Sequence, residues 1–237
     1  MKSKVCFFLL LSGVLFMVTN CTSKRTAIGT ITDIDGNQYQ TVIIGEQEWM
    51  KENLKTTRFN DGTIIPFVHD VTEWRHIDAP AYVWPDNDIY HKDTYGALYN
   101  WWAVGDRNDL CPAGWRVSTE DDWKTLESYL GMTPEDIEDT AMRGTGEGGK
   151  LKAEGTQHWD SPNEGATDEY GFSALPAGRR ESDGTFLNLN RGATFWLSTE
   201  TSFSTAYYRH FPAGSAQIGR NPNGEKKFGL SVRCIKE

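Results

Sequence analysis

The alternation of apolar and polar positions sets the first expectations. Between Ile28 and Ile44, β-forming residues (Ile31, Tyr39, Val42, Ile44) flank Asp35-Gly36-Asn37, the composition of a tight turn, which predicts a hairpin. Gly45 ends it, and Trp49-Met50 with Leu54 predicts a third strand. Asp61-Gly62 marks a turn before Ile64, and residues 71–77 read as a short helix. Residues 78–95, with Pro80, Pro85 and many Asp and Asn, read as loop, and the apolar run Tyr95–Val104 reads as a buried helix. Ser118-Thr119 precedes Glu120-Asp121-Asp122, and Trp123, Leu126, Tyr129 and Leu130 follow at spacings of three and four. That is an N-cap, an acidic first turn and an amphipathic face, so the pattern predicts a helix over 119–130 that Gly131 stops. Residues 143–170 are glycine-rich and polar and predict long ordered loops. Short β-like runs follow at 171–176, 184–187, 194–198, 205–211 and 227–235. No linker or internal repeat divides the chain. The expectation is one loop-rich α+β domain, with short antiparallel strands and one or two helices, whose first and last strands lie together.

The N-terminus departs from this pattern. Lys2 and Lys4 precede an apolar run from Val5 to Val18, too short to span a bilayer comfortably, and Val18-Thr19-Asn20-Cys21 follows directly. A thiol at that junction resembles the lipobox of bacterial lipoproteins, which predicts a signal peptide over residues 1–20, lipidation of Cys21 and a tether over 21–27. An ordinary secretory signal with a chance Cys is the competing reading. Anchoring at the outer membrane is expected. Lys24 and Arg25 stand where acidic residues would favour export to the cell surface, so the periplasmic face and the surface are both open.

Removing residues 1–20 leaves 217 residues and discards Lys2 and Lys4, so the net charge moves from −9 to −11. An acidic chain lacks the clustered cations that nucleic acid requires. A mean hydropathy of −0.55 excludes a multi-span membrane protein. Four cysteines reduce to one pair once Cys6 leaves with the signal and Cys21 takes lipid. Cys111 and Cys234 are then expected to bridge in an oxidising compartment, two free buried thiols being the alternative.

Several stretches resemble a known family. They are G-N-Q-Y-Q-T-V-I-I-G-E-Q-E-W-M-K-E-N-L-K (36–55), D-T-Y-G-A-L-Y-N-W-W-A-V (93–104), L-C-P-A-G-W-R-V-S-T-E-D-D-W (110–123), G-G-K-L-K-A-E-G-T-Q-H-W-D-S-P-N-E-G-A-T-D-E-Y-G-F-S-A-L-P-A-G-R-R (148–180) and F-G-L-S-V-R-C-I-K-E (228–237). Together they resemble the Fibrobacter succinogenes major paralogous domain over 28–237. That resemblance implies an envelope or secreted protein of the kind found in Bacteroidota, and a C-type-lectin-like fold. The segment 115–123 is also similar to the helix start of formylglycine-generating-enzyme domains. The active-site cysteines of those enzymes are absent here, so their activity does not carry over.

Candidate chemistry is sparse. Asp33-Ile34-Asp35-Gly36-Asn37 begins like an EF-hand loop, but its Gly is fourth rather than sixth and Ile44 stands at position twelve, so the hairpin reading holds. His69, Glu73 and His76 have helical chelate spacing on a segment too short to commit to a metal. No G-x-S-x-G elbow or convincing Ser/His/Asp order is present. Lectins of the C-type use an E-P-N-like loop; here Ser161-Pro162-Asn163-Glu164 has Ser in place of the ligand Glu. Asn163, Glu164, Asp168 and Glu169 cluster oxygen donors that could form a ligand or calcium loop, against the plainer reading of a solvated acidic loop. Trp84 and Trp159 flank polar loops and are the expected exposed aromatic contacts, with the remaining Trp residues in the core. The expected function is a non-catalytic binding or structural module on a lipid-anchored envelope protein, with a glycan or another envelope protein as partner. An envelope enzyme and a purely structural surface or adhesion protein are the alternatives.

Overall fold

The structure, a computed structural model, describes residues 29–237. The segments expected as signal peptide (1–20) and tether (21–27), with Cys21, lie outside the described residues. The hairpin forms as its pattern predicts: β1 (Gly29–Thr32) pairs antiparallel with β2 (Gln38–Ile44). Asp33 fixes the turn through side-chain bonds to the amides of Asp35 and Asn37, a use of Asp that turns favour. β3 (Gln47–Met50) follows and excludes Leu54, which is buried beyond it.

The segment read as loop between 78 and 95 contains more structure than its prolines suggested. After α1 (Val71–His76) come β4 (Tyr82–Val83), two 3-10 turns and α2 (Lys92–Tyr95). The helix expected over 95–104 is instead β5 (Leu98–Tyr99), paired with β4, and a single helical turn, α3 (Trp101–Val104). Gly96 at φ +73° stops helical continuation there, and the side chain of Asn100 caps α3.

Next comes β6 (Trp115–Val117), then α4 (Glu120–Tyr129). The boundaries of α4 follow from a capping box. Asp122 N donates to Thr119 Oγ1 at 3.2 Å, and Thr119 N donates to Asp122 Oδ2 at 2.7 Å. The unforeseen α5 (Pro134–Glu138) and β7 (Ala141–Arg143) follow. Residues 144–176 hold no named element, as expected, and the strand read at 171–176 is reduced to one bridge between Lys152 and Ala174. These loops pack through missing side chains: a Cβ on Gly149 would sit 2.0 Å from Gly165 O.

The remaining strands are β8 (Ala177–Arg180), β9 (Phe186–Leu189), β10 (Gly192–Glu200), β11 (Thr205–Pro212), β12 (Ile218–Glu225) and β13 (Cys234–Lys236). Two larger sheets result, in the orders β1-β2-β3-β13-β6 and β10-β11-β12-β7, with β8-β9 and β4-β5 as small pairs. The terminal strand thus joins the sheet that the first strand begins. Cys111 and Cys234 form a disulfide, with Cα atoms 6.0 Å apart, that ties the segment entering β6 to β13.

The sequence of β12, I-G-R-N-P-N-G-E, is polar and contains Pro222, so it carries no strand pattern of its own. Tyr208 pairs with Asn221 and Ala206 with Gly224, so Pro222 falls in a register shift, and β7 covers only residues 218–220 of β12. A proline in a bulge costs the ladder no donor.

β10 divides the interior. Phe195 and Leu197 face a cluster with Trp49, Trp123, Phe172 and Phe211, whereas Trp196 faces a second cluster with Tyr39, Met50, Trp101 and Tyr208. Ring pairs in the first cluster lie 5.4–6.1 Å apart, in the range of favourable aromatic contacts. A third cluster around Val68, Trp74 and Leu98 supports the 78–100 region. Buried arginines fasten the loops to these clusters. Arg180 lies 4.5 Å from the Trp74 ring and donates to Val68 O and His69 O. Arg233 lies 4.4 Å from the Phe172 ring and donates to Asn53 Oδ1 and to the carbonyls of Phe172 and Ser173. Guanidinium suits this work because its planar fork stacks and donates at once. Among the described residues, no helix is long and apolar enough to cross a membrane.

Candidate functional site

The 160–162 loop, the β9–β10 connection and the end of β11 build one polar cavity. It has a volume of about 360 Å³ and is lined by Asp160, Ser161, Pro162, Asn188, Arg191, His210 and the 212–214 backbone. Its walls are cross-tied by backbone bonds: Asp160 N donates to Asn190 O, Glu164 N to Ala213 O, and Ala213 N to Arg191 O. Asn188 and Asn190 sit at φ +63°, a conformation that Asn tolerates better than most residues, and this turns the β9–β10 connection towards the cavity. Tyr95 OH donates to Asn190 Oδ1 at 2.7 Å, and the Tyr95 ring meets His91 and His158 edge-on at 5.4 and 5.9 Å. Tyr95 thus touches both the loop that carries His91 and the loop that carries His158.

The cavity's polar groups are arranged for hydrogen bonding. Arg191 Nε lies 3.9 Å from Asp160 Oδ2, a loose and mostly exposed pair of little intrinsic strength. His210 has its Nδ1 3.3 Å from Thr194 Oγ1. Burial, reinforced by the positive charge of Arg179, pushes the imidazole down to about 4, so it is neutral at neutral pH. No side-chain hydrogen bond joins Ser161, His210 and Asp160. Ser, His and Asp share one wall without the relay that nucleophilic catalysis uses.

The residues singled out from sequence take different places. Trp84 and Trp159 are 5% and 2% exposed, so neither is the surface platform expected. Trp159 Nε1 donates to Ala174 O, and Trp84 packs edge-on against Tyr82 with the Lys92 ammonium 5.6 Å from its ring. Both rings belong to core clusters, which the polar residues beside them in sequence do not reveal. Asn163 is buried and spends its Nδ2 on Ala153 O and Gly155 O, while its Oδ1 is buried without a partner among the described residues. Asp168 turns to Ser173, accepting from its amide and hydroxyl, and burial raises its carboxyl above the usual range despite those bonds. Glu164 and Glu169 are exposed. The four oxygen donors are therefore not gathered onto one point. Among the described residues no group of three or more His, Cys, Asp or Glu side chains converges. His69, Glu73 and His76 are also apart in role: His69 stacks on Phe67, and His76 Nδ1 bonds Thr72 O.

A second, larger cavity of about 670 Å³ lies at the far end of the β10–β11 hairpin, lined by Asp78, Trp102, Phe203, Ser204, Glu225, Lys226 and Lys227. No spacing rule points to it. The only available signal was an isolated Phe within the polar turn T-S-F-S-T.

The molecule is thus a mixed, mostly antiparallel α+β domain whose regular elements are short and whose loops carry its cavities. The chain belongs to the Fibrobacter succinogenes major domain family, whose model matches residues 42–236. No curated protein and no solved structure matches the chain. The matched region begins inside β2, whereas the fold begins one strand earlier, at β1.

Proposed function

We propose that this chain is a lipid-anchored protein of the bacterial cell envelope, attached to the outer membrane through Cys21, and that its domain is a non-catalytic binding module for glycans. The architecture is read as C-type-lectin-like, a reading supported by terminal strands that share one sheet and by long loops that project from the second sheet. One observation carries the binding role: the polar cavity in which Asp160, Ser161, Asn188, Arg191 and neutral His210 offer mixed donors and acceptors without a nucleophile–base pair. Such a set matches the hydroxyl groups of a sugar better than an apolar or uniformly charged ligand.

A glycan array followed by calorimetry, with and without calcium, tests the reading. The expected result is saturable binding of at least one glycan that weakens about tenfold when Asn188 and Arg191 are both replaced by Ala. Absence of any glycan ligand overturns it.

A further inference from the structure

Phe203 is 97% exposed, yet the turn that presents it is held firmly. The amides of Thr201 and Ser202 both donate to Thr205 O. Thr201 Oγ1 lies 2.8 Å from Thr205 Oγ1 and donates to Pro222 O at 2.5 Å. Ser202 Oγ accepts from the amides of Ser204 and Thr205. The turn satisfies its polar groups without help from the phenyl ring, which gains nothing from burial in this position. A rigid turn holding an apolar ring in water has the form of a preorganised contact.

The cavity beside the ring supplies the rest of a site. Consecutive positions on α3 point apart: Trp101 is buried with Nε1 on Leu197 O at 2.9 Å, and Trp102 is half-buried on the cavity wall. The indole N–H of Trp102 has no partner among the described residues. Lys226 is committed, with Nζ 2.6 Å from Glu200 and 4.2 Å from the Trp101 ring. Lys227 Nζ donates to Arg75 O. The Asp78 carboxylate has no hydrogen bond or ion pair among the described residues, and Glu225 gives one oxygen to the Ser182 hydroxyl. Two aromatic walls are thus flanked by carboxylate oxygens able to accept, by an indole free to donate, and by cations already engaged.

We infer that this groove is a second ligand site, separate from the polar cavity, and that it takes a neutral oligosaccharide. One sugar face stacks on Phe203 and Trp102, and hydroxyls at the ring edge donate to Asp78 and Glu225. The inference rests on the glycan-binding reading of the domain. The chemistry selects the class. An aromatic wall favours a flat C–H face. A wholly apolar ligand would strip water from Asp78 and Glu225 without replacing its hydrogen bonds. An anionic ligand would meet the Asp78 and Glu225 carboxylates, while Lys226 is already paired with Glu200 and Lys227 points its ammonium at the Arg75 carbonyl. A pyranose offers an apolar face and hydroxyl donors together, and a cavity of about 670 Å³ lies within the usual size of ligand sites.

The test is titration of the purified protein with neutral hexasaccharides of β-1,4-glucose, β-1,4-xylose and α-1,4-glucose, read by calorimetry and by tryptophan fluorescence. Phe203→Ala is compared with Trp102→Ala and with the Asn188→Ala/Arg191→Ala double variant of the polar cavity. Phe203→Ala is expected to leave thermal unfolding unchanged and to weaken one binding event about tenfold. Trp102→Ala is expected to remove the fluorescence change that accompanies that event. If affinity survives both aromatic substitutions and is lost only in the polar-cavity variant, the second site is overturned and the glycan-binding module stands. Binding of none of the three sugars overturns the second site, while a glycan found on the wider array would still uphold the module. Self-association that Phe203→Ala abolishes would assign the groove to a second copy of the chain and overturn the sugar assignment.

Discussion

Arg209 Nε donates to Glu127 Oε1 over 2.7 Å with both side chains fully buried, joining β11 to α4. Arg143 from β7 reaches the same carboxylate at 2.8 Å, and Arg209 also bonds Glu120. Arg220 of β12 bonds Glu120 at 2.6 Å and reaches the carbonyls of Glu138, the last residue of α5, and of Asp139, which follows it. Two carboxylates and three guanidiniums thus connect three strands of one sheet to both helices that cover it.

Removing one member leaves the others charged and dry, which costs far more than the net value of the intact set. Glu127→Ala is expected to lower the unfolding free energy by about 3–5 kcal/mol. Urea denaturation monitored by tryptophan fluorescence checks this. A loss below about 1 kcal/mol would mean that the cluster is solvated in solution.

Acid should weaken the domain in two stages. Burial alone would raise the Glu120 carboxyl, but Arg209 and Arg220 outweigh it and hold it below the ordinary value. Burial likewise opposes Asp122, while Arg116 and the Thr119 amide hold it down. Their stabilisation is present above the ordinary carboxylate pKa and is lost as pH falls through their lowered folded values. His210 acts higher on the scale. Its folded value of about 4 lies below the ordinary 6.5, so the native state binds fewer protons and stability declines as pH falls from 6.5 towards 4. Thermal unfolding between pH 7 and 3 should show both stages, and His210→Gln should flatten the upper one alone. An unchanged profile in that variant would contradict the half-buried, neutral imidazole.

The Cys111–Cys234 bridge spans a sequence separation of 123 residues. Closing so long a loop in the unfolded chain corresponds to about 4–5 kcal/mol in the chain-entropy model. Cys111→Ser/Cys234→Ser should shift the denaturant midpoint down accordingly with the fold retained. The parent protein, unfolded without reductant, should show no reactive thiol at either position.

Gly149→Ala should be among the most damaging single-methyl additions in the chain. The added Cβ would meet the Gly165 carbonyl at 2.0 Å, and both partners are backbone, so neither can rotate away. A drop in thermal midpoint together with weakened glycan binding is expected, because residues 149–167 also support the polar-cavity loop through Thr167 N on Gly149 O. Wild-type stability would show that the loops relax freely.

Lipidation is read from residues outside the described structure and has its own test. Cys21→Ala should abolish incorporation of labelled fatty acid and leave the apolar 1–20 segment uncleaved. Protease treatment of intact cells then separates surface from periplasmic attachment, with degradation expected only at the surface.

What the sequence determined by itself were features encoded within a few residues. The hairpin around Gly36 and the boundaries of α4 depend on local turn and cap chemistry, and both were legible. The pairing of Cys111 with Cys234 followed from counting cysteines, and family membership from motifs spread along the chain. Tertiary structure decided the features that require distant segments. β12 exists because β11 and β7 flank a polar run, and Pro222 fits a bulge that only their register creates. Trp84 and Trp159 are buried because they join core clusters assembled from distant segments, which hydropathy along the chain does not encode. Both cavities are built the same way: Asp160 and His210 are fifty residues apart in sequence, and Asp78 and Phe203 still farther, so no local spacing could place them on one wall. Phe203 is the inverse case, a residue whose type predicts burial and whose exposure is set by a turn that satisfies itself without it.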